Sequence, residues 1–287
     1  MRALFLYNIQ AGRGRAEVTA TEVCSLFRLQ GHEITAQPID FHINPFEGNE
    51  QLDLMIVAGG DGTMNYVTNC MKRKGLNMRL AVLPSGTAND FAGAIGMSKK
   101  PLEAAQQILD GAVEHIDCGC VNGLHFVNVF SFGLFTTTSQ RTPDERKHKM
   151  GKFAYLIEGI KELRTMHAVP MHVRTESDEF DFRALMVLVF NGETAGGFHL
   201  ARRSCIKDGL FDCILLEKKN FFSSVFAMGH YLLGGHPKSV KHLRARTLEI
   251  TSTVDEPTDV DGQQGAHFPL HIECLAGELQ MVCPPQK

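Results

Sequence analysis

The sequence predicts an α/β N-terminal domain built on a parallel sheet, followed by a mainly antiparallel β-sandwich C-terminal domain. Strand-like and helix-like segments alternate over residues 1–120, as they do when helices flank a parallel sheet. Short strand-like runs separated by turn residues dominate residues 121–275, the pattern of a sandwich or partial barrel. At the change of style, Asn122-Gly123 joins Asp117–Val121 to Leu124–Phe130, a strong hairpin signal.

The elements follow in order. Arg2–Asn8 reads as a strand and Ala16–Gln30 as a helix, with Val18, Val23, Leu26 and Phe27 broadly on one face. Glu33–Ile39 is a second strand and Leu52–Ala58 a buried third, followed by a helical pattern over Met64–Lys74. Leu80–Leu83 is a fourth strand, and Pro101–Leu109 a helix with proline in its first turn. In the second half the expected strands are Met171–Thr175, Phe182–Phe190, Phe211–Leu216, Leu248–Ser252, His267–Glu273 and Leu279–Cys283. Two helical stretches, Phe153–Thr165 and Phe222–Leu233, interrupt them.

Composition narrows the function classes. The 287 residues are 44% hydrophobic and 21% charged, ordinary for a globular chain. A net charge of −3 offers no basic field for nucleic acid, which excludes it as the expected partner. No apolar run approaches the roughly 20 residues of a transmembrane helix, and Met1–Tyr7 reads as a strand rather than a signal peptide. The eight cysteines form no C-x-x-C pair, and several (Cys24, Cys213, Cys274) sit in apolar runs, which points to reduced thiols and a cytoplasmic setting. The thirteen histidines show no metal-site spacing. Arg141, Arg146, Lys147, His148 and Lys149 read as a solvated loop or as a contact for anionic lipid heads. No amphipathic helix stands out as an anchor.

The chemistry concentrates in two turns. Gly59-Gly60-Asp61-Gly62-Thr63 follows a buried strand and opens a helix. Glycines let the backbone approach an anion, and a helix N-terminus offers N–H groups and positive potential. Asp61 would repel a phosphate, so its place there makes sense beside a divalent metal or a reacting hydroxyl. Taken alone, Gly-Gly-Asp-Gly is also a good tight turn. About twenty residues on, Pro84-Ser85-Gly86-Thr87-Ala88-Asn89-Asp90-Phe91-Ala92 again follows an apolar run. Two such turns can lie side by side at one edge of a parallel sheet, where these folds bind ligands, and together they suggest phosphoryl transfer.

These motifs resemble the diacylglycerol kinase catalytic-domain family, lipid kinases that include bacterial and sphingosine-type members. Val113-Glu-His-Ile-Asp117-Cys-Gly119 resembles its V-D-x-G, and Lys152–Leu163 its Y-x3-G helix. Asn191-Gly192, Gly196-Gly197 and Asp208-Gly209-Leu210 resemble its N-G, G-G and D-G-L pattern, and Val260-Asp261-Gly262 the start of its V-D-G-E. The resemblance spans most of the chain in the expected order. It implies a fold like that of NAD kinases and diacylglycerol kinases. A nucleotide-binding domain over residues 1–120 is completed by residues 276–287, and a β-rich lipid domain covers 121–275.

It also implies ATP and Mg²⁺ as cofactors. Gly59, Gly60, Asp61, Gly62, Thr63 and Asn65, with Ser85, Gly86 and Thr87, would hold the triphosphate. Asn8 and Arg13 would join them from the altered first loop, Asn8-Ile9-Gln10-Ala11-Gly12. Asp61, Asp90 and Asp117 would gather a magnesium ion, although Asp90 could equally cap locally and Asp117 could be structural. A second, structural magnesium would sit on Asp208 with the carbonyls of Cys205 and Leu210; by sequence alone this is merely a turn. The acceptor hydroxyl would lie near Asp261. Phe130, Phe132, Leu134 and Phe135 are acyl-groove candidates whose default reading is core packing.

The chain departs from the family at the family's general base. The usual D-G-E glutamate is Gln263, and an amide cannot accept the proton. The N-E that usually follows G-G-D-G-T-x is Asn65-Tyr66. Three readings stand: a lipid kinase whose proton goes to Asp61 or Asp261, a kinase for another hydroxyl, or a nucleotide- or lipid-binding protein without turnover. An NAD kinase shares G-G-D-G, but the Pro84–Ala92 segment argues against it. The partner expected is a lipid at the membrane surface, with the chain peripheral at the inner face; a homodimer is left open.

Overall fold

Residues 3–6, 54–58 and 80–83 are buried throughout, as strands must be when helices cover both faces of their sheet. The computed structural model of the protein describes residues 1–11, 14–133 and 167–285. The expected helix Phe153–Thr165, Arg13, Leu134, Phe135 and the basic run from Arg141 to Lys149 lie outside the described residues. The chain divides into two units, Met1–Cys118 with Ala276–Lys287, and Gly119–Leu275.

The first unit is a parallel sheet with helices. Its strands are β1 (Arg2–Tyr7), β2 (Glu33–Pro38), β3 (Leu54–Gly59) and β4 (Leu80–Pro84), in the order β2-β1-β3-β4. Gly59 pairs with Pro84, so β3 and β4 end level with each other. The helices are α1 (Ala16–Leu29), α2 (Asp61–Arg73), α3 (Asp90–Ala94) and α4 (Pro101–Asp110). Helix α1 buries Ala20, Val23, Cys24 and Phe27, a spacing that leaves Val18 exposed rather than on the core face.

The second unit is antiparallel. β5 (Ala112–Val121) turns through Asn122 (φ 48°) and Gly123 (φ 86°) into β6 (Leu124–Phe126), the two positive φ values of a type I′ hairpin. β7 (Val129–Gly133), β8 (Val169–Arg174) and β9 (Glu179–Phe190) follow, then the two-residue strands β10 (Thr194–Ala195) and β11 (Phe198–His199). Next come β12 (Phe211–Glu217), α5 (Phe221–Leu232), β13 (Val240–Ala245), β14 (Thr247–Ser252), β15 (Thr258–Val260), β16 (Gln263–Gln264) and β17 (Leu270–Cys283). The sheet runs β16-β15-β7-β9-β8-β14-β17, with β12 on β9 and β13 on β12. Strand β9 is apolar on both faces: Val187 and Val189 join the core of Phe126, Phe130 and Phe211, while Leu188 and Phe190 pack with Ile214, Leu216 and Ala227 of α5.

The strands expected at His267–Glu273 and Leu279–Cys283 are one strand. Gly277 (φ 64°) lies between them, but its N–H donates to Asp117 Oδ1 (2.8 Å) and its carbonyl meets His115 Nδ1 (3.0 Å). Those bonds carry β17 across the interruption, so it pairs antiparallel with β14 at Thr247↔Glu273 and parallel with β4 at Met281↔Leu80. Strand β17 is thus the segment shared by both units.

Phe126 is fully buried, its ring stacked 5.4 Å from that of Phe211. Phe126→Ala should cost about 3–5 kcal/mol of unfolding free energy. Urea unfolding of the two proteins measures it.

Candidate active site

Helix α2 begins at Asp61, earlier than the Met64 that the pattern predicts, because the glycine turn is itself the first helical turn. The Gly60 carbonyl accepts the N–H groups of Thr63 and Met64, both at 3.0 Å. A Cβ on Gly59 would stand 2.4 Å from Thr63 Cβ, so only glycine lets the strand turn this tightly. Asn8 donates from its Nδ2 to Thr63 Oγ1 (3.3 Å), which brings the end of β1 to the same turn.

The second turn is locked by Asn89. Its Oδ1 accepts the Gly86 N–H and its Nδ2 donates to the Gly86 carbonyl, both at 2.8 Å. Asn89 holds φ 54°, a left-handed conformation that asparagine tolerates better than most residues. Sequence reasoning quoted Asn89 within its motif without giving it this role; an asparagine three residues after a turn glycine was the available signal.

The two turns touch through glycine. A Cβ on Gly86 would lie 2.5 Å from Gly60 Cα, closer than atoms can approach. The Asp61 carboxylate then ties the turns together, accepting the N–H groups of Asp90 (3.1 Å) and Phe91 (2.9 Å) at the start of α3. Burial raises the Asp61 pKa above the ordinary aspartate value. The Phe91 hydrogen bond opposes that rise, and the neighbouring Asp90 charge adds to it. Ser85 donates its N–H to the Gly59 carbonyl (3.0 Å), and Thr87 is exposed at the tip. The result is one glycine-floored surface, beside the N-terminus of the 13-residue helix α2, suited to an anion.

Among the described residues, no three His, Cys, Asp or Glu side chains converge as a metal cage. Asp61 and Asp90 are neighbouring carboxylates, whereas Asp117 holds the Gly277 N–H. A pair of adjacent, largely buried like charges does fit a cation such as Mg²⁺, which takes one or two protein carboxylates and completes its shell with phosphate and water. Asn65 is buried within α2, where its Oδ1 accepts from Asn69 (3.1 Å). The Tyr66 hydroxyl donates to the Ile43 carbonyl (3.0 Å), tying down the 40–43 loop.

The remaining candidates belong to the second unit. Asp261 and Gly262, with φ 49° and 87°, form the tight turn between β15 and β16. The Asp261 carboxylate accepts the N–H groups of Val127 (2.7 Å), Asn128 (3.0 Å) and Val129 (2.8 Å). Gln263 is exposed on β16, opposite Val260. In the turn expected to hold a second magnesium, Asp208 already has protein partners. The Arg244 guanidinium donates to Asp208 Oδ2, and Asp208 Oδ1 accepts the Leu210 N–H (3.1 Å). Arg244 Nε also stands 3.6 Å from the fully buried Asp212, with His242 Nε2 at 3.0 Å from the other oxygen. Neither Asp212 oxygen accepts an aligned hydrogen bond, so these groups meet its charge by proximity. A side-chain cation thus stands beside the carboxylate on which sequence reasoning placed a metal; Arg244 lies far from Asp208 in sequence, and the pairing of β12 with β13 brings it close.

Comparison with known proteins points to one family. Residues 2–121 match the model of the diacylglycerol kinase catalytic domain, and residues 128–283 match that of the YegS C-terminal NAD kinase beta sandwich-like domain. A Staphylococcus epidermidis protein named diacylglycerol kinase is 30% identical over 99% of this chain and 92% of its own length. A Bacillus subtilis protein of the same name is 28% identical over 100% and 97%. Among solved structures, a diacylglycerol kinase from Bacillus anthracis superposes with a TM-score of 0.81 at 26% identity, covering 99% of this chain and 97% of its own. An NAD kinase from Archaeoglobus fulgidus in complex with ATP gives 0.57 at 14% identity, over 100% and 94%, a likeness of fold.

Three outcomes are expected. Gly86→Ala should separate the turns and weaken ATP binding at least about tenfold while the second unit stays folded; calorimetric titration with ATP reads the first effect and circular dichroism the second. Arg244→Leu should cost about 3 kcal/mol by leaving Asp212 buried beside an incomplete partner set. The melting temperature of the native chain without nucleotide should not respond to EDTA, because a side chain already supplies the charge at Asp208.

Proposed function

Because this chain belongs to the diacylglycerol kinase catalytic-domain family, we propose that it transfers the γ-phosphoryl group of ATP to a lipid hydroxyl such as that of diacylglycerol. The observation that carries the reading is the contact of Gly60 with Gly86, which joins two strand-to-helix turns into one floor for a triphosphate. Both turns end adjacent parallel strands, the edge where ligands bind in sheets of this kind.

Phosphoryl transfer depends mainly on positioning and charge stabilisation. In this reading Gly59, Gly60, Gly62, Ser85 and Gly86 give the phosphates a close backbone approach. Asn8 and Thr63, already hydrogen-bonded to each other, present polar groups beside them. Asp61 and Asp90 would hold Mg²⁺, which neutralises charge on the transferring group. Asp61 then has two functions, since the same carboxylate fastens α3. With an amide at Gln263 and Asp261 committed to the backbone, the acceptor proton would pass to Asp61, and positioning supplies most of the acceleration. The substrate class is membrane-resident, which supports a cytoplasmic protein working at the inner membrane face. Among the described residues no helix is long and apolar enough to cross a bilayer.

One observation favours binding of nucleotide or lipid without turnover. Asp261 and Gln263 stand where the family keeps its proton-handling residues, yet Asp261 is committed to three backbone N–H groups. The deciding assay is transfer of γ-phosphate from ATP to diacylglycerol in mixed micelles. Mg²⁺-dependent phosphatidic acid from the native chain, lost in Asp61→Ala, supports the kinase. ATP binding without product supports the second reading. Gln263→Glu should raise kcat by at least about tenfold if the missing base limits the rate, since such a base is typically worth about 10²–10⁴.

The Asp61 shift gives a pH signature. A folded pKa above the unfolded one means the folded chain keeps a proton that the unfolded chain has lost. Stability from this group therefore falls as pH rises from the ordinary aspartate value to the raised one. Mg²⁺ with ATP should flatten that fall by favouring the ionised carboxylates. Unfolding free energy against pH, with and without Mg²⁺ and ATP, reads the difference.

A further inference from the structure

Helix α5 presents an apolar face to solvent. Its inner side packs Ser224 and Ala227, with Met228 and Tyr231 partly buried, against Ile214 and Leu216 of β12. At roughly 100° per residue, Phe222, Phe226 and the C-cap Leu233 fall together on the opposite side. They are 82%, 73% and 87% exposed, far more open than the other large apolar side chains described, apart from Leu29. Asn220 caps the helix by accepting the Ser223 N–H (2.8 Å), so the stripe sits on a well-formed element. The pattern looked like an ordinary packed helix in sequence, because both of its faces are apolar and only the fold shows which one is covered.

The surrounding charge is mainly positive. Residues 217–249 contain Lys218, Lys219, Lys238, Lys241, Arg244 and Arg246 against two acids, Glu249 and Glu217, the latter paired with Lys219 at 2.8 Å, in a chain whose net charge is −3. Lys218 and Lys219 are exposed immediately before the helix. At its other end the guanidinium of exposed Arg202 reaches 3.0 Å from where a Gly234 Cβ would stand, and Lys238 is exposed just beyond. A solvent-facing apolar stripe with cations at both ends suits a surface of anionic headgroups over hydrocarbon. A second copy of the chain would bring two such cationic sets together and is disfavoured by their repulsion.

We propose that the outer face of α5 docks the protein on anionic lipid, with Phe222, Phe226 and Leu233 entering the headgroup boundary and Lys218, Lys219 and Arg202 meeting phosphates. The proposal deepens the lipid-kinase reading by naming the element that meets the membrane, and rests on it for why the chain visits one. This element differs from the basic run Arg141–Lys149, which sequence reasoning left as either a solvated loop or a lipid contact, and it supplies an exposed apolar helix face that the sequence did not reveal.

The test is flotation of the full chain with vesicles of equal parts phosphatidylglycerol and phosphatidylcholine, and with phosphatidylcholine alone. Native protein should float with the anionic vesicles and be released by high salt. Phe222→Ser/Phe226→Ser and, separately, Lys218→Glu/Lys219→Glu should each lower the bound fraction at least about tenfold while keeping the native melting temperature. Turnover of a dispersed short-chain diacylglycerol should be unchanged in both variants, because no substituted residue belongs to the nucleotide turns. Equal flotation of native and variant proteins, or no flotation of native protein that still turns over the dispersed lipid, overturns the docking proposal and leaves the kinase reading standing. Variant-sensitive flotation without any turnover supports docking and removes the kinase. Native dimers that dissociate in Phe222→Ser/Phe226→Ser, seen by light scattering without lipid, overturn the proposal in favour of a second copy.

Discussion

The Asp61 carboxylate, with one backbone N–H of α3 on each oxygen, is the constraint from which the site follows. Strands β3 and β4 end level, so their two turns must share a small volume. Glycine at 60 and 86 removes the atoms that would collide, and Asp61 supplies the attraction that keeps the turns closed. The arrangement has an electrostatic consequence. Drawing α3 onto Asp61 also brings Asp90 near it, and two carboxylates in a poorly hydrated place repel. The fold therefore builds a site short of positive charge while forming the floor that would cradle a triphosphate.

Much of this was legible in the sequence, and the reasons are local. A buried strand, a glycine turn and an apolar helix leave a readable pattern, so β3, β4 and the helix after the first turn were found from residues alone. The Asn122-Gly123 hairpin was found because its dipeptide has few alternatives to a type I′ turn. Strands β13, β15 and β16 were not found. Lys241, His242 and Arg244 look like a surface run until β12 pairs with them, and a two-residue strand has no periodicity. Strand β17 was split at Gly277 because its repair comes from His115 and Asp117, distant in the chain.

The aspartates were the least legible residues, for a common reason. A carboxylate in a motif reads as chemistry, but it is also a strong acceptor for backbone N–H groups that a tight turn leaves over. Asp61 holds the start of α3, Asp117 holds Gly277, Asp261 holds residues 127–129, and Asp259 Oδ1 holds the Gly262 N–H at 2.8 Å. Composition and spacing cannot separate an acceptor for the backbone from an acceptor for a metal, because both need an acid beside glycine. Only neighbouring charge separates them: Asp61 has Asp90 beside it, and Asp208 already has Arg244.

The same reasoning bears on Gln263. Asp261 and Gly262 occupy the two positive-φ positions of a hairpin turn, and β16 then fixes the backbone of residue 263 opposite Val260. That scaffold needs Asp261 to anchor residues 127–129 and Gly262 to turn, while residue 263 is exposed. Replacement of Asp261 would leave three backbone N–H groups without their acceptor. The Asp-Gly pair is thus explained by folding alone, and residue 263 is the position that bears on proton transfer. The Asp261-Gly262 turn serves the fold, so its presence is no sign that the missing acid is compensated.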